Sequence, residues 1–329
     1  MTQRPRCLAF SRFLERKLMF TGVPTLQQRS ATMWKSATMS TVRSTTASGS
    51  AVYESSRAVD EYLQFHFGSA EDVMPRGAAG PPDAINFPTR CARLCIEAVA
   101  AHGRGSGSGG SGGLRALDVG CAVGGATLEL AHGFDEVVGI DFSQAFVDAA
   151  EAMRTRGEAP YKSLVEGDVF RDAVAKAPQG VDVTRVKFER GDACNLNIAA
   201  LGQFDAVLAS NLLCRLPAPR AFLGALPRLV RPGGAAVIVS PYSWLQEYTP
   251  RSEWLCDASR CSGGGGGSGS GGGGGSGGGG SFEALKEIME GGGAFKLESR
   301  RHEGFLIREH ARKFQWGVSD ATVWRRTER

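Results

Sequence analysis

Three acids and two glycines carry the first sign of chemistry. In Leu114–Leu130, LRALDVGCAVGGATLEL, a short apolar run ends in Asp118 and passes through a turn containing Gly120 and Gly124 before a helical pattern begins. Glycine has no Cβ, so the backbone there can turn sharply and approach a ligand, and the following helix start offers unpaired N–H groups. A turn of this kind serves a nucleotide cofactor, but taken alone it also fits an ordinary loop or a dinucleotide site. The second acid, Asp141, closes Glu136–Asp141 (EVVGID) and is placed to accept from ribose hydroxyls. An acid about twenty residues after the turn is shared with dehydrogenases, so it supports the fold without choosing the cofactor. The third acid is Asp192, in the Gly191-Asp192 pair that follows an apolar-alternating run from Arg185.

These acids need strands to hold them. Phe204–Asn211 (FDAVLASN) reads as a fourth strand, and Arg231-Pro-Gly-Gly234 reads as the turn into a fifth over Ala235–Ser240. Continuously apolar strands alternating with helices imply a parallel sheet covered on both faces, with ligands at the strands' carboxyl ends. All three acids fall at that edge. Each alone could merely cap a helix or turn; the ordered set is what argues for a site. Ala294–Glu298 and Phe314–Trp324 read as a closing antiparallel pair, and the charged run Phe305–Lys313 between them reads as the connection, either simply solvated or able to grip a zwitterion.

The register Asp118-x-Gly-x-x-x-Gly resembles the first motif of class I S-adenosylmethionine-dependent methyltransferases, with Ala122 where that family commonly has a central glycine. Gly191-Asp192 is similar to the element of that family that reaches the adenine amino group. The resemblance implies an α/β, Rossmann-like fold with a seven-stranded mixed sheet, mostly parallel, and an N-terminal helical cap. It implies S-adenosylmethionine as methyl donor and no metal. The implied cofactor set is Asp118, Gly120, Cys121, Ala122, Gly124, Asp141, Phe142, Asp192, Ala193 and Asn211.

Composition bounds the rest. The 329 residues are 42% hydrophobic, enough for one large domain, and no apolar run approaches the roughly 18 residues of a membrane span. The formal charge of +4 is concentrated at one end: residues 1 to 50 hold eight Lys or Arg and one acid, leaving about −3 for the remainder. That balance does not describe a nucleic-acid surface. The same segment, rich in Arg, Ser and Thr and with a basic stretch from Phe10 to Phe20, matches an organelle transit peptide. A mitochondrial or plastid location follows if it is one, and a cytoplasmic location otherwise; the alternative is a tail with Met33 or Met39 as the true start. Gly/Ser tracts at 103–113 and 262–281 read as linkers, not phosphate cradles. They divide the chain into a cap over 51–102, a core over 114–261 and a closing segment over 282–329. None of the pairs among the eight cysteines forms C-x-x-C, and Cys91 and Cys95 share an apolar stripe with Leu94, Ala98 and Val99, so core packing and reduced thiols are expected.

Two amphipathic helices, Val59–Phe67 and Pro88–His102, precede the first strand and are expected to lid the cleft, with Tyr62, His66, Asn86 and Arg90 as candidate substrate contacts. A closer resemblance now appears. Glu61–Gly68 (EYLQFHFG), Asn86–Ala92, Asn211–Pro217 (NLLCRLP), Ser240–Pro250 (SPYSWLQEYTP) and Ile307–Trp316 (IREHARKFQW) are similar to the 4-mercaptohistidine N-methyltransferase family over Tyr53 to about Arg326. In that family the domain often forms one half of the ovothiol-making enzyme, beside an iron-dependent sulfoxide synthase. Here the five histidines, 66, 102, 132, 302 and 310, form no His-x-x-x-His-x-Glu set, so no iron chemistry is expected and a synthase would be a separate partner.

The implied reaction moves the sulfonium methyl to a ring nitrogen of 5-thiohistidine, giving ovothiol A. On this resemblance Arg308 or Arg312 takes the substrate carboxylate, Glu309 the ammonium, and His310 selects the tautomer or accepts the proton. Tyr242 and Asn211 face the transferred methyl, and Arg215 is the alternative carboxylate partner. Ser210-Asn-Leu-Leu213 replaces the Asn-Pro-Pro-Tyr of amide- and nucleobase-directed enzymes, which argues against nucleic acid and protein glutamine. A methyltransferase of another small amino acid or thiol, and a non-catalytic cofactor-binding partner, remain as alternatives; a NAD-dependent oxidoreductase is more distant, since it has no use for Gly191-Asp192.

Overall fold

Apolar runs bounded by glycine and proline become the strands of the sheet in the computed structural model, which describes residues 50–74, 80–102, 113–256 and 280–328. The expected leader and most of both Gly/Ser tracts lie outside the described residues. Strands β1 (Arg115–Val119), β2 (Glu136–Asp141), β5 (Val186–Arg190), β6 (Phe204–Ser210) and β7 (Val230–Ser240) pair in parallel, and β9 (Lys313–Arg326) runs antiparallel between β7 and β8 (Phe295–His310). The order across the seven-stranded sheet is β5-β2-β1-β6-β7-β9-β8. This is the seven-stranded, mostly parallel mixed sheet expected from the sequence.

Burial follows from position in the sheet. Strand β6 has neighbours on both sides and is buried from Phe204 through Ala209. Helices α1 (Ser56–Phe67), α3 (Phe87–Ala100), α4 (Gly125–Leu130) and α5 (Gln144–Arg156) contribute to one core, and α7 (Pro219–Leu229) and α8 (Ser281–Gly291) to the other; the single turns α2 (Ala70–Val73) and α6 (Ile198–Leu201) come between α1 and α3 and between α5 and α7 in the chain. The α3 stripe of Cys91, Leu94, Cys95, Ala98 and Val99 is buried throughout, as the spacing of small apolar residues requires. Trp324 is fully buried on β9 and keeps its indole N–H satisfied by donating to Thr322 Oγ1 at 2.8 Å.

Three features differ from the sequence reading. A hairpin of β3 (Glu158–Glu166) and β4 (Val169–Lys176) lies between α5 and β5, outside the main sheet. It forms because Ala159, Tyr161, Ser163 and Ala175 point inward while Glu158, Lys162, Asp172 and Lys176 point outward, with Gly167 at φ 55° in its turn. Secondly, the closing strands are much longer than expected: Phe305–His310 belongs to β8 and only Ala311-Arg312 turns, so the charged run is strand rather than connection. Finally, Cys256 is disulfide-bonded, contrary to the expected reduced thiols, while Cys91, Cys95, Cys121, Cys194 and Cys214 are free. No helix among the described residues is long and apolar enough to cross a membrane.

Candidate active site

A cleft of about 870 Å³ opens at the carboxyl edge of the sheet. Its floor is the ends of β1, β2, β5 and β6, and α1, the loop after β7 and the β8–β9 hairpin wall it. Backbone strain collects at this edge. Ala122, Asn211 and Tyr242, which follow β1, β6 and β7, hold φ of 47°, 51° and 50°. For a residue with a Cβ the left-handed region costs about 1–2 kcal/mol, and such strain persists where the surroundings over-determine it.

The glycine turn is built from two different needs. Gly120 sits at φ 78° and donates its N–H to Ile140 O at 2.7 Å; a Cβ there would stand 2.8 Å from Leu212 Cδ1. Gly124, at φ 88°, does not line the cleft: its missing Cβ makes room for the Phe188 ring, 2.6 Å from where that carbon would be. Asp141 ties the turn down. Its Oδ2 accepts from Ala122 N and its Oδ1 from Ser143 N, both at 2.9 Å, and burial pushes its carboxyl above the usual range. The carboxylate's remaining lone pairs suit ribose hydroxyls. At the neighbouring strand end Asp192 Oδ1 accepts from Cys194 N at 2.8 Å, Ala193 lines the cleft beside it, and Gly191 N donates to Asp141 O. Phe142 also lines the cleft, with the Arg190 guanidinium 5.6 Å over its ring. Two carboxylates at successive strand ends beside a glycine turn fit an adenosine with its hydroxyls toward Asp141 and its base toward Asp192.

Asp118 is 2% exposed and accepts from Thr127 Oγ1 at 2.7 Å. Burial, with the Asp141 charge acting in the same direction, pushes its carboxyl up to about 7. An unfolded aspartate titrates near 4, so between about pH 4 and 7 the folded chain binds the extra proton and stability falls as pH rises. Asp118→Asn removes that titration. Melting curves should show the variant gaining on the wild type at pH 8 relative to pH 5; a pH-independent difference in Tm would contradict the assignment.

The opposite wall is aromatic. Tyr53 and Tyr62 meet edge to face at 6.0 Å, and Tyr62 lies 4.7 Å from the Phe146 ring. The N-terminal turn that brings Tyr53 here is pinned to the start of α5: Glu54 accepts from Gln144 N and Ala145 N, and Ser143 Oγ donates to Tyr53 O. Arg215 lies 4.9 Å over the Tyr248 ring and donates to Ser243 O at 2.8 Å. Asn211 Oδ1 accepts from Ser319 Oγ at 2.7 Å, which leaves the amide's two donors for the cleft. Glu61 and Arg57, from α1, also line it, and burial raises the Glu61 carboxyl.

The structure therefore brings Asp118, Gly120, Cys121, Ala122, Asp141, Phe142, Asp192, Ala193, Asn211 and Arg215 to one cleft, with Tyr62 and His66. It leaves the charged side chains of the 305–313 run outside. Phe305 and Ile307 face the cleft, so strand alternation turns Leu306 and Arg308 away; Leu306 is buried near Val73 and Ala84, and Arg308 donates to Asp72 O. Glu309 pairs with Lys313 and accepts from Gln315 Nε2, and His310 Nδ1 accepts from Arg312 N within the hairpin turn. Arg90 clamps α3 to β8 through Glu303, Ile85 O and Gly304 O, and Asn86 is a left-handed N-cap at φ 57°. Tyr242 turns its hydroxyl to Asp320, which Arg300 also holds. Tyr53, Arg57, Glu61, Tyr248 and Trp316 went unselected; all but the first two lie inside the quoted family motifs, yet no periodicity distinguishes them there.

Among the described residues no group of three His, Cys, Asp or Glu is placed to hold a metal ion. Residues 117–238 match the family model described as a methyltransferase domain. The chain is similar to magnesium protoporphyrin IX methyltransferase from Synechocystis PCC 6803 with bound SAH, at 15% identity over 84% of this chain and 97% of that one, with a TM-score of 0.45. It is also similar to a SAM-dependent methyltransferase from Methanosarcina mazei (18% identity, 65% and 93% covered, TM-score 0.41). A third similar structure is the N-terminal domain of EvdMO1 with SAH bound (19% identity, 79% and 85% covered, TM-score 0.40). No curated protein matches the chain.

Proposed function

We propose that the chain is an S-adenosylmethionine-dependent methyltransferase, as the methyltransferase-domain match over residues 117–238 and the order of the sheet support, that its acceptor is 5-thiohistidine and that its product is ovothiol A. One observation carries this reading. The segments that resemble the 4-mercaptohistidine N-methyltransferase family supply the acceptor side of the cleft: Glu61 and Tyr62 from the first, Arg215 and Tyr248 from the strand-end loops, Gln315 and Trp316 from the hairpin. Cation, carboxylate and aromatic faces together suit a zwitterion that carries a flat ring. Arg215 takes the carboxylate and Glu61 the ammonium, replacing the roles first expected of Arg308, Arg312 and Glu309. Asn211 points its amide donors at the thiolate.

When bound, S-adenosylmethionine supplies an electrophilic methyl, and Asp141, Asp192 and the Gly120 turn are the residues that hold it. A neutral imidazole already carries a lone pair on one nitrogen, so the chain's residues need to select the tautomer and hold the ring in line. The new N–C bond forms as the S–C bond breaks toward sulfur, and the methylated ring gives up its other N–H proton to solvent. Alignment can contribute about 7–11 kcal/mol, against about 10²–10⁴-fold from a general base, so positioning dominates.

A second reading has its own support. Val52, Leu245, Trp316 and Val318 are exposed apolar residues at the cleft rim, Trp316 by 63%, which suits another small amino acid or thiol with an apolar extension. Incubation with methyl-labelled S-adenosylmethionine and 5-thiohistidine, with histidine and ergothioneine in parallel, separates the two by mass spectrometry. Label on the thiohistidine ring alone is the expected result; binding of the cofactor without transfer to any of the three would sink the thiohistidine assignment.

A further inference from the structure

The cleft holds an imidazole that the reaction above does not use. His66, on the last turn of α1, lays its ring against the glycine turn and accepts from Gly125 N at Nδ1, 3.1 Å away. This contact explains the second glycine of the pair, because a Cβ on Gly125 would stand 2.7 Å from that nitrogen. An Nδ1 that accepts leaves the proton on Nε2. Rings of Phe65, Tyr62 and Phe67, centred 5.3, 5.9 and 6.2 Å away, restrict the imidazole. Burial pulls its basicity down to about 3, so it stays neutral and the tautomer is fixed. Among the described residues Nε2 has no partner, and the side chain lines the cleft. The chain has therefore built one oriented N–H donor with nothing of its own to receive it.

The position of that donor narrows what it receives. On the cofactor reading Asp192 and Ala193 mark the adenine end and Asp141 the ribose, and the Gly120–Ala122 turn of the cleft leads in the chain to Gly125, from whose N–H His66 accepts. An extended ligand that begins at Asp192 and passes the turn brings its amino-acid end to His66. We propose that His66 donates from Nε2 to the methionyl carboxylate of the methyl donor, as a binding residue and not a base. The proposal rests on the cofactor reading of the cleft and is independent of the acceptor.

Calorimetry with S-adenosylhomocysteine and 5′-methylthioadenosine tests it, since the second keeps the adenosine and thioether but lacks the carboxylate. The variants are His66→Phe, which keeps a flat ring without a donor, and His66→Gln, which restores an N–H. His66→Phe should weaken S-adenosylhomocysteine at least about tenfold, the scale of a hydrogen bond to a charged group, and leave 5′-methylthioadenosine within about twofold. His66→Gln should recover part of the loss. Equal weakening of both ligands would reduce His66 to a packing role, and unchanged S-adenosylhomocysteine affinity with a raised acceptor KM would reassign the donor to the acceptor; either overturns the proposal alone. A wild-type chain that binds neither ligand would overturn the cofactor reading and the proposal with it.

Discussion

Asp141→Ala should remove measurable cofactor binding, lowering affinity for S-adenosylhomocysteine by about 10²-fold or more. Hydrogen bonds to a charged group contribute about 1.5–3 kcal/mol each, and a ribose offers two. The same carboxylate accepts from Ala122 N and Ser143 N, so its loss also frees the turn in which Ala122 is held at φ 47°. Asp141→Asn separates the two jobs: one amide oxygen still accepts from the turn, but the charge and one acceptor are gone, so binding should fall while the Tm changes less than in the alanine variant. Calorimetric affinity within tenfold of wild type in Asp141→Ala would mean that the ribose lies elsewhere.

The second large effect belongs to the acceptor. Arg215→Ala should raise the KM for 5-thiohistidine about 10²-fold, with S-adenosylhomocysteine affinity nearly unchanged. Arg215→Lys should recover little, because the planar guanidinium both stacks over Tyr248 and donates to Ser243 O, and an ammonium cannot do both. Glu309→Ala and Arg312→Ala, by contrast, should leave steady-state kinetics as they are: Glu309 pairs with Lys313 and Gln315 on the hairpin, and Arg312 sits in its turn. Comparable losses at Glu309 and Arg215 would contradict the cleft described here.

The cofactor half of the cleft was legible in the sequence because each part of it is local. An apolar run, an acid and a glycine turn lie within a few residues of one another, so Asp118, Gly120, Asp141 and Asp192 could be placed at strand ends from order alone. Gly124 was recognised as a turn glycine, but its true neighbour, Phe188, is on another strand. The acceptor half was less legible. The run from Arg308 to Arg312 has the composition of a zwitterion grip, yet as strand its faces are set by alternation, and the register shift between Arg308 and His310 sets them again. The hairpin at 158–176 is not legible in the sequence because its alternation is short and, Tyr161 apart, its buried residues are small.

What the sequence determined by itself was therefore the order of the five parallel strands, the acids at their carboxyl ends and the chemistry of the cofactor, since these depend on short-range patterns of apolar, acidic and glycine residues. Which side chains share the cleft was decided only by the tertiary structure. His66 meets Gly125 across 59 residues, Asn211 meets Ser319 across 108, and Arg57 reaches Glu309 O across 252. Contacts at such separations follow from strand register and from the face each helix turns to the sheet, and a one-residue shift in either would exchange the residues inside for those outside.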